Sequence, residues 1–214
     1  MDGATLQKRV YRGYAIAAPK IGLANDLYRP SSALNPLAAG NKITTLPASY
    51  NAEDMKFSKP NKYGKPTWYV IVDGAQTRVF DYLKGPQGTF FIAAQQAILP
   101  ILAVECNRTI NVLRAQQESG IGAQPYSGNT SATESILMQQ WPASVLQGTK
   151  GEKSESALPG DVRMAWWQIL LPYFAGVVLR SDDIVTDDLN RRYVLSSVEL
   201  SDLGWRCTAM QAQT

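Results

Sequence analysis

Residues 88–114 read GTFFIAAQQAILPILAVECNRTINVLR. Short runs of aromatic and β-branched residues, TFFIAAQ and then PILAVECNRTINVLR, are too brief and too rich in Val, Ile and Phe for an amphipathic helix, and they predict strands. Working upstream, GPQG supplies a turn, TRVFDYL a further run, and PTWYVIVDG a β-rich run closed by Asp-Gly. Residues 66–115 therefore read as a first small antiparallel β module. The same texture returns near the C-terminus in RMAWWQILLP, GVVLRSDDIVTDDL, RRYVLSSVEL and GWRCTAMQ, with a turn at Asn190, so residues 161–214 read as a second module, a barrel or curled sheet.

The rest of the chain frames these modules. In residues 1–24, Leu6, Val10, Tyr14, Ala17, Ala18 and Ile21 recur every three or four positions, which predicts a helix capped by Asp2 and ended at Gly22. Residues 25–65, with YRPSSALNPLAAGNK and SKPNKYGKP, read as an extended linker. Residues 116–160 read as a flexible linker, in which Ser131 and Glu134 have capping-box spacing for a short helix before Pro142, followed by a mobile QGTKGEKSESALPGD loop. The expected fold is mainly β with an N-terminal helix, and two small antiparallel barrel- or sandwich-like modules joined by extended linkers.

The two modules echo one another. Trp68-Tyr69 matches Trp166-Trp167, the step Asp81 to Leu83 matches Asp187 to Leu189, TFFIAAQ matches RYVLSSV, and LAVEC matches GWRC. Two readings stand: a true structural duplication, or the resemblance that any two small antiparallel β domains share.

Composition narrows the chemistry. The 214 residues are 45% hydrophobic and 18% charged, which suits a folded globular protein of one large or two small domains. There is no histidine, so a His-based triad and zinc sites with His ligands are excluded. The net charge of +3 is far below the dense basic stripes of proteins that bind by neutralising phosphates. No apolar stretch reaches membrane-spanning length, and the start MDGATLQKRV lacks a signal-peptide core, so the expectation is a chain made in the cytoplasm without membrane association. No phosphate-cradling or nucleophile-elbow motif occurs, and no cofactor is expected.

Candidate sites are few. Asp182, Asp183, Asp187 and Asp188 could offer oxygens to a hard cation, but the spacing lacks the glycine and closing glutamate of a calcium loop, and Arg191 and Arg192 stand ready to neutralise them. A charged hairpin end or subunit contact through Asp187, Asp188, Arg191 and Arg192 is the preferred reading. Lys8, Arg9 and Arg12, with Tyr14, mark the helix as a solvated basic face or a docking arm. Cys106 and Cys207 sit in β-prone runs as small apolar residues, with no base to activate either. The tryptophans could stack on bases or sugars, though core packing accounts for them better.

YRPSSALNPL, NKYGKPTWYVIVDG, the 88–114 stretch and DIVTDDLNRRYVLSSVELSDLGWRCTAMQ together resemble structural virion proteins of contractile-tailed bacteriophages. The C-terminal part is also similar to the small β-barrels of head-closure and neck proteins. This resemblance implies a non-enzymatic ring in the neck or collar, assembled in the host cytoplasm into the virion. Its partners would be copies of itself, portal or adaptor proteins, and tail terminator, tube or sheath proteins, with DNA passing through the lumen. A binding module for single-stranded nucleic acid or glycan, or another tail or baseplate component, is the alternative.

Overall fold

Each strand among the described residues ends up in one of two closed, antiparallel, six-stranded barrels. The computed structural model describes residues 2–52, 64–115, 134–148 and 165–212. Helix α1 (Gly3–Ile21) precedes β1 (Leu23–Tyr28), β2 (Lys42–Ala52), β3 (Thr67–Ile71), β4 (Tyr82–Gly85), β5 (Gly88–Ala94) and β6 (Ile101–Cys106), which close barrel 1 in the order β1-β2-β3-β6-β5-β4. Strands β7 (Arg108–Ala115), β8 (Glu134–Gln147), β9 (Trp166–Leu171), β10 (Ile184–Asp187), β11 (Arg192–Ser201) and β12 (Gly204–Gln211) close barrel 2 as β10-β11-β12-β9-β8-β7. Read from its first strand, that is the same circular order, so the two barrels are one fold built twice.

The ladders fix the correspondence residue by residue. Ile92 faces Ala103 just before a bulge in β5, and Leu195 faces Ala209 just before the bulge in β11. From there the register runs round both barrels, matching Leu83 with Val185, Val70 with Ile169, Leu27 with Val112, and Leu46-Pro47-Ala48-Ser49 with Trp141-Pro142-Ala143-Ser144. Side chains alternate across each strand. In barrel 1, Leu27, Leu83, Phe90, Ile92, Ile101 and Ala103 fill the interior, and Val112, Val185, Tyr193, Leu195, Cys207 and Ala209 take the matching places in barrel 2. Each fully buried aliphatic or aromatic side chain of this kind contributes about 1.5–3 kcal/mol.

The predicted domain boundaries need correction. The 25–65 stretch holds β1 and β2, so it is part of barrel 1 and not a linker. Strand β7 belongs to barrel 2, although its sequence runs on from β6 with only Asn107 between. The ILMQQW segment is part of β8 and not a helix: Ile136, Met138 and Trp141 pair with Leu113, Val112 and Ile110 of β7, and cross-strand pairing outweighs the capping-box spacing. The QGTKGEKSESALPGD loop lies mostly outside the described residues.

No linker separates the barrels. Asn107 fixes the joint, its amide donating to Val145 O at 2.9 Å and accepting from Val145 N at 2.8 Å. The outward faces of β4, β5 and β6 carry Tyr82, Phe91, Ala93 and Val104 into the apolar core of barrel 2. Tyr82 Oη donates to Pro142 O at 2.8 Å, and its ring meets Trp141 edge-on at 6.1 Å. The β1–β2 connection then straps across: Asn35 N donates to Gln139 O (2.8 Å), Gln139 N to Ala33 O (3.0 Å), and Trp141 Nε1 to Ala33 O (2.6 Å). Inside the strap, buried Asn41 donates to Pro36 O and accepts from Ser31 Oγ.

Helix α1 starts as predicted, with Asp2 accepting from Thr5 N at 2.8 Å, and its first residue past the end is Gly22. It lies over β2 and β3. A side chain at Gly22 would meet the Ala48 backbone at 2.6 Å, and one at Gly74 would meet the Tyr11 ring at 2.5 Å, so two glycines let the helix sit down on the barrel. Tyr11, Tyr14 and Ala18 face inward, while Leu6 and Ile21, placed by periodicity on the buried stripe, are exposed.

Candidate functional site

The acid cluster of barrel 2 resolves into separate structural parts. At its centre is a clasp that barrel 1 repeats. Arg29, one residue past β1, donates from Nε and Nη2 to Asp81 at 2.9 and 2.7 Å; Arg114, near the end of β7, does the same to Asp183 at 2.7 and 2.8 Å. Each arginine also reaches a backbone carbonyl five positions before its aspartate, Gln76 O or Val178 O. Each aspartate also accepts from a backbone N–H three residues back, Arg78 N at 2.8 Å or Arg180 N at 2.7 Å. The residue before each aspartate has positive φ, 72° at Phe80 and 69° at Asp182. The pattern Arg-x-x-Asp before an apolar strand, RVFDYL and RSDDIV, is its sequence signature.

The clasp has a mechanical reason. The β1–β4 ladder that closes barrel 1 pairs only three residues on each strand, and the β7–β10 ladder only four, so the closing seam is short. A bidentate arginine–carboxylate pair just beyond the ladder extends it with charge-assisted bonds. The aspartates are buried and the arginines partly reach solvent. The bonded carboxylate is the leading cause that raises each arginine's pKa above its ordinary value.

The remaining candidates are also accounted for by folding. Asp187 is buried, and its carboxylate accepts from Leu189 N (3.0 Å), Arg191 N (2.8 Å) and Tyr193 Oη (3.1 Å), an aspartate-built turn between β10 and β11. Its predicted role as an interface residue is therefore corrected: its oxygens are committed inward. Asp188 is exposed and lies 3.9 Å from Arg108, a loose surface pair. The Arg191 guanidinium sits over the Trp167 ring, 5.9 Å from its centre. Arg192 is bound by a forked ion pair to buried Glu134 and so is an internal tie and not an outward contact. Tyr14 is half-buried against barrel 1, again a packing residue, whereas Lys8, Arg9 and Arg12 lie on the exposed side of α1.

The cysteines are free thiols. Burial pushes Cys207 up to about 12 and raises Cys106 as well, so both are protonated and poorly nucleophilic. The register also separates them: Cys207 takes the place of Ile101, and Cys106 lies five residues further on. The tryptophans serve packing: Trp141 and Trp205 are buried, Trp68 Nε1 donates to Glu105 Oε2 at 2.9 Å, and Trp167 meets Tyr193 edge-on.

Hollows occur along the junction of the barrels. One of about 220 Å³ is walled by Phe91, Leu102, Val104, Leu170 and Trp205, with the Arg206–Glu199 pair nearby. A shallower one of about 280 Å³ lies beside the barrel 1 clasp, between Arg78, Phe80 and Tyr173. Among the described residues no three Asp, Glu or Cys side chains come close enough to hold a metal ion. No helix among them is long and apolar enough to cross a membrane.

Compared with protein-family models, with curated proteins and with solved structures, the chain finds no match in any of the three.

Proposed function

We propose that the chain is a structural subunit of a tailed-phage virion, forming a ring in the neck or collar that joins portal to tail and lets DNA pass. The observation that carries this reading is the back-to-back fusion of two like barrels through an apolar seam, with the cluster's buried aspartates and Arg192 consumed in ties within barrel 2 itself. Such a unit offers rigid outer faces and no open sheet edge, so it associates through side-chain surfaces. The phage assignment itself rests on the resemblance of the sequence stretches. A ring demands heterologous contacts, one face of each subunit meeting a different face of the next. The exposed Lys8, Arg9 and Arg12 on α1 are the candidates to face DNA or a portal protein.

The test is light scattering and negative-stain microscopy of the purified chain, alone and mixed with portal rings. Closed rings, or co-migration with the portal, are expected. A monomer at every concentration that ignores portal and tail proteins would overturn the proposal.

A further inference from the structure

The hollow of about 220 Å³ between the barrels has a cause in the chain. Strands β11 and β12 are joined by Asp202 and Leu203 alone, whereas six residues, 95–100, make the matching β5–β6 connection. Gly204, at φ 110°, draws the short turn down on β9, since a side chain there would meet Leu171 O at 2.7 Å. The space beside that turn is walled by Phe91 and Val104 from barrel 1 and by Leu170, Leu203 and Trp205 from barrel 2. Polar groups on the wall are paired: Arg206 Nε donates to Glu199 Oε2 at 2.8 Å, and Ser201 Oγ donates to Gly204 O at 3.0 Å. Trp205 is the exception. It is 5% exposed, and its indole N–H is buried with no acceptor among the described residues. Buried donors almost always find a partner, so an orphan on a residue that walls a hollow marks a missing one.

We propose that this hollow is a binding site for a small, neutral, apolar molecule of one ring that carries a hydrogen-bond acceptor, the acceptor taking the Trp205 N–H. Size sets the first limit. An apolar cavity of about 150 Å³ holds benzene, so about 220 Å³ admits a ring with a short substituent. Charge sets the second. Arg206 and Glu199 neutralise each other and leave no lone charge for an ionic ligand. The donor sets the third, because a ligand without an acceptor leaves the indole N–H as unpaired as before. An aryl ketone meets all three. The inference goes beyond the ring reading and does not depend on it, as the hollow lies within one chain.

The test titrates acetophenone into the isotope-labelled full chain and follows the indole N–H resonances by NMR, that of Trp205 being identified by its loss in Trp205→Phe. A saturable downfield shift of the Trp205 resonance is expected, whereas ethylbenzene, of the same shape without the oxygen, is expected to leave it in place. Two variants probe the hollow: Ala93→Leu fills it from barrel 1, and Leu203→Asp, at a position 41% exposed, puts a carboxylate on its wall. Each is expected to weaken acetophenone binding about tenfold or more, with circular dichroism unchanged. Should Ala93→Leu fail to fold, Leu203→Asp decides by itself. No shift at the solubility limit of acetophenone overturns the proposal, as does a shift that survives in the folded variants. An equal shift with ethylbenzene overturns the role given to the acceptor. A chain that binds acetophenone in this way and never forms rings supports this site and refutes the ring instead.

Discussion

Barrel 1 and barrel 2 share strand order, clasp and core positions, yet they are finished differently. Phe90 of barrel 1 stacks on Tyr50 at 3.8 Å, whereas its counterpart Tyr193 meets Trp167 edge-on and gives its hydroxyl to Asp187. Over β2 and β3, barrel 1 carries a helix; over the matching strands β8 and β9, barrel 2 carries barrel 1 itself. What recurs is what the barrel needs in order to close, and what differs is what each copy meets outside.

The seam is the first place to break that comparison. Trp141→Ala removes a fully buried ring that contacts Tyr82, Phe174 and the Ala33 carbonyl, and should cost about 4 kcal/mol, seen as a lower denaturant midpoint. The equivalent Leu46→Ala in barrel 1 should cost less, since the lost side chain is smaller.

The clasps come next. Asp81→Ala and Asp183→Ala should each destabilise by about 2–3 kcal/mol, below the loss for a wholly enclosed pair because Arg29 and Arg114 reach solvent. Because the geometry repeats, the two losses should agree to within about 0.5 kcal/mol in urea titrations. A large loss at one site and none at the other would show that only one clasp closes its barrel.

Smaller still is Tyr82→Phe, which deletes the hydroxyl bond to Pro142 and leaves the ring in place, for about 1 kcal/mol. The last effect shows only in alkali. Cys207 is held at about 12 against an ordinary 9.0, so its folded form stays protonated where the unfolded chain loses the proton. Its contribution is constant below pH 9.0 and is lost as pH rises towards about 12, and Cys207→Ala should flatten that part of the stability profile.

Most of the strands were legible in the sequence, because TFFIAAQ, PILAVEC and RYVLSSV are short runs rich in aromatic and branched apolar residues between clear turns. The match of Ile92 to Leu195 was legible too. Other parts of the echo slipped. Trp68 corresponds to Trp167, not Trp166, and a slip of one residue in a strand swaps its two faces. Asp81 corresponds to Asp183, because Asp187 belongs to a separate turn that imitates the same Asp-x-Leu step. Strands β1, β2 and β8 were hidden by composition: Pro47 and Pro142 sit inside strands, and the Pro-, Ser- and Asn-rich strap reads as linker although its polar groups are satisfied across the seam. The signal that could have found them is the repeated Leu-Pro-Ala-Ser and Trp-Pro-Ala-Ser.

The central claim, that the same barrel is built twice and that residues 23–52 are part of the first, is tested most directly by hydrogen exchange read peptide by peptide. The account predicts that β1 and β2 are protected to the same degree as β7 and β8, and nearly as well as β5. Full exchange of residues 23–52 within seconds, while 88–106 stays protected, would contradict it.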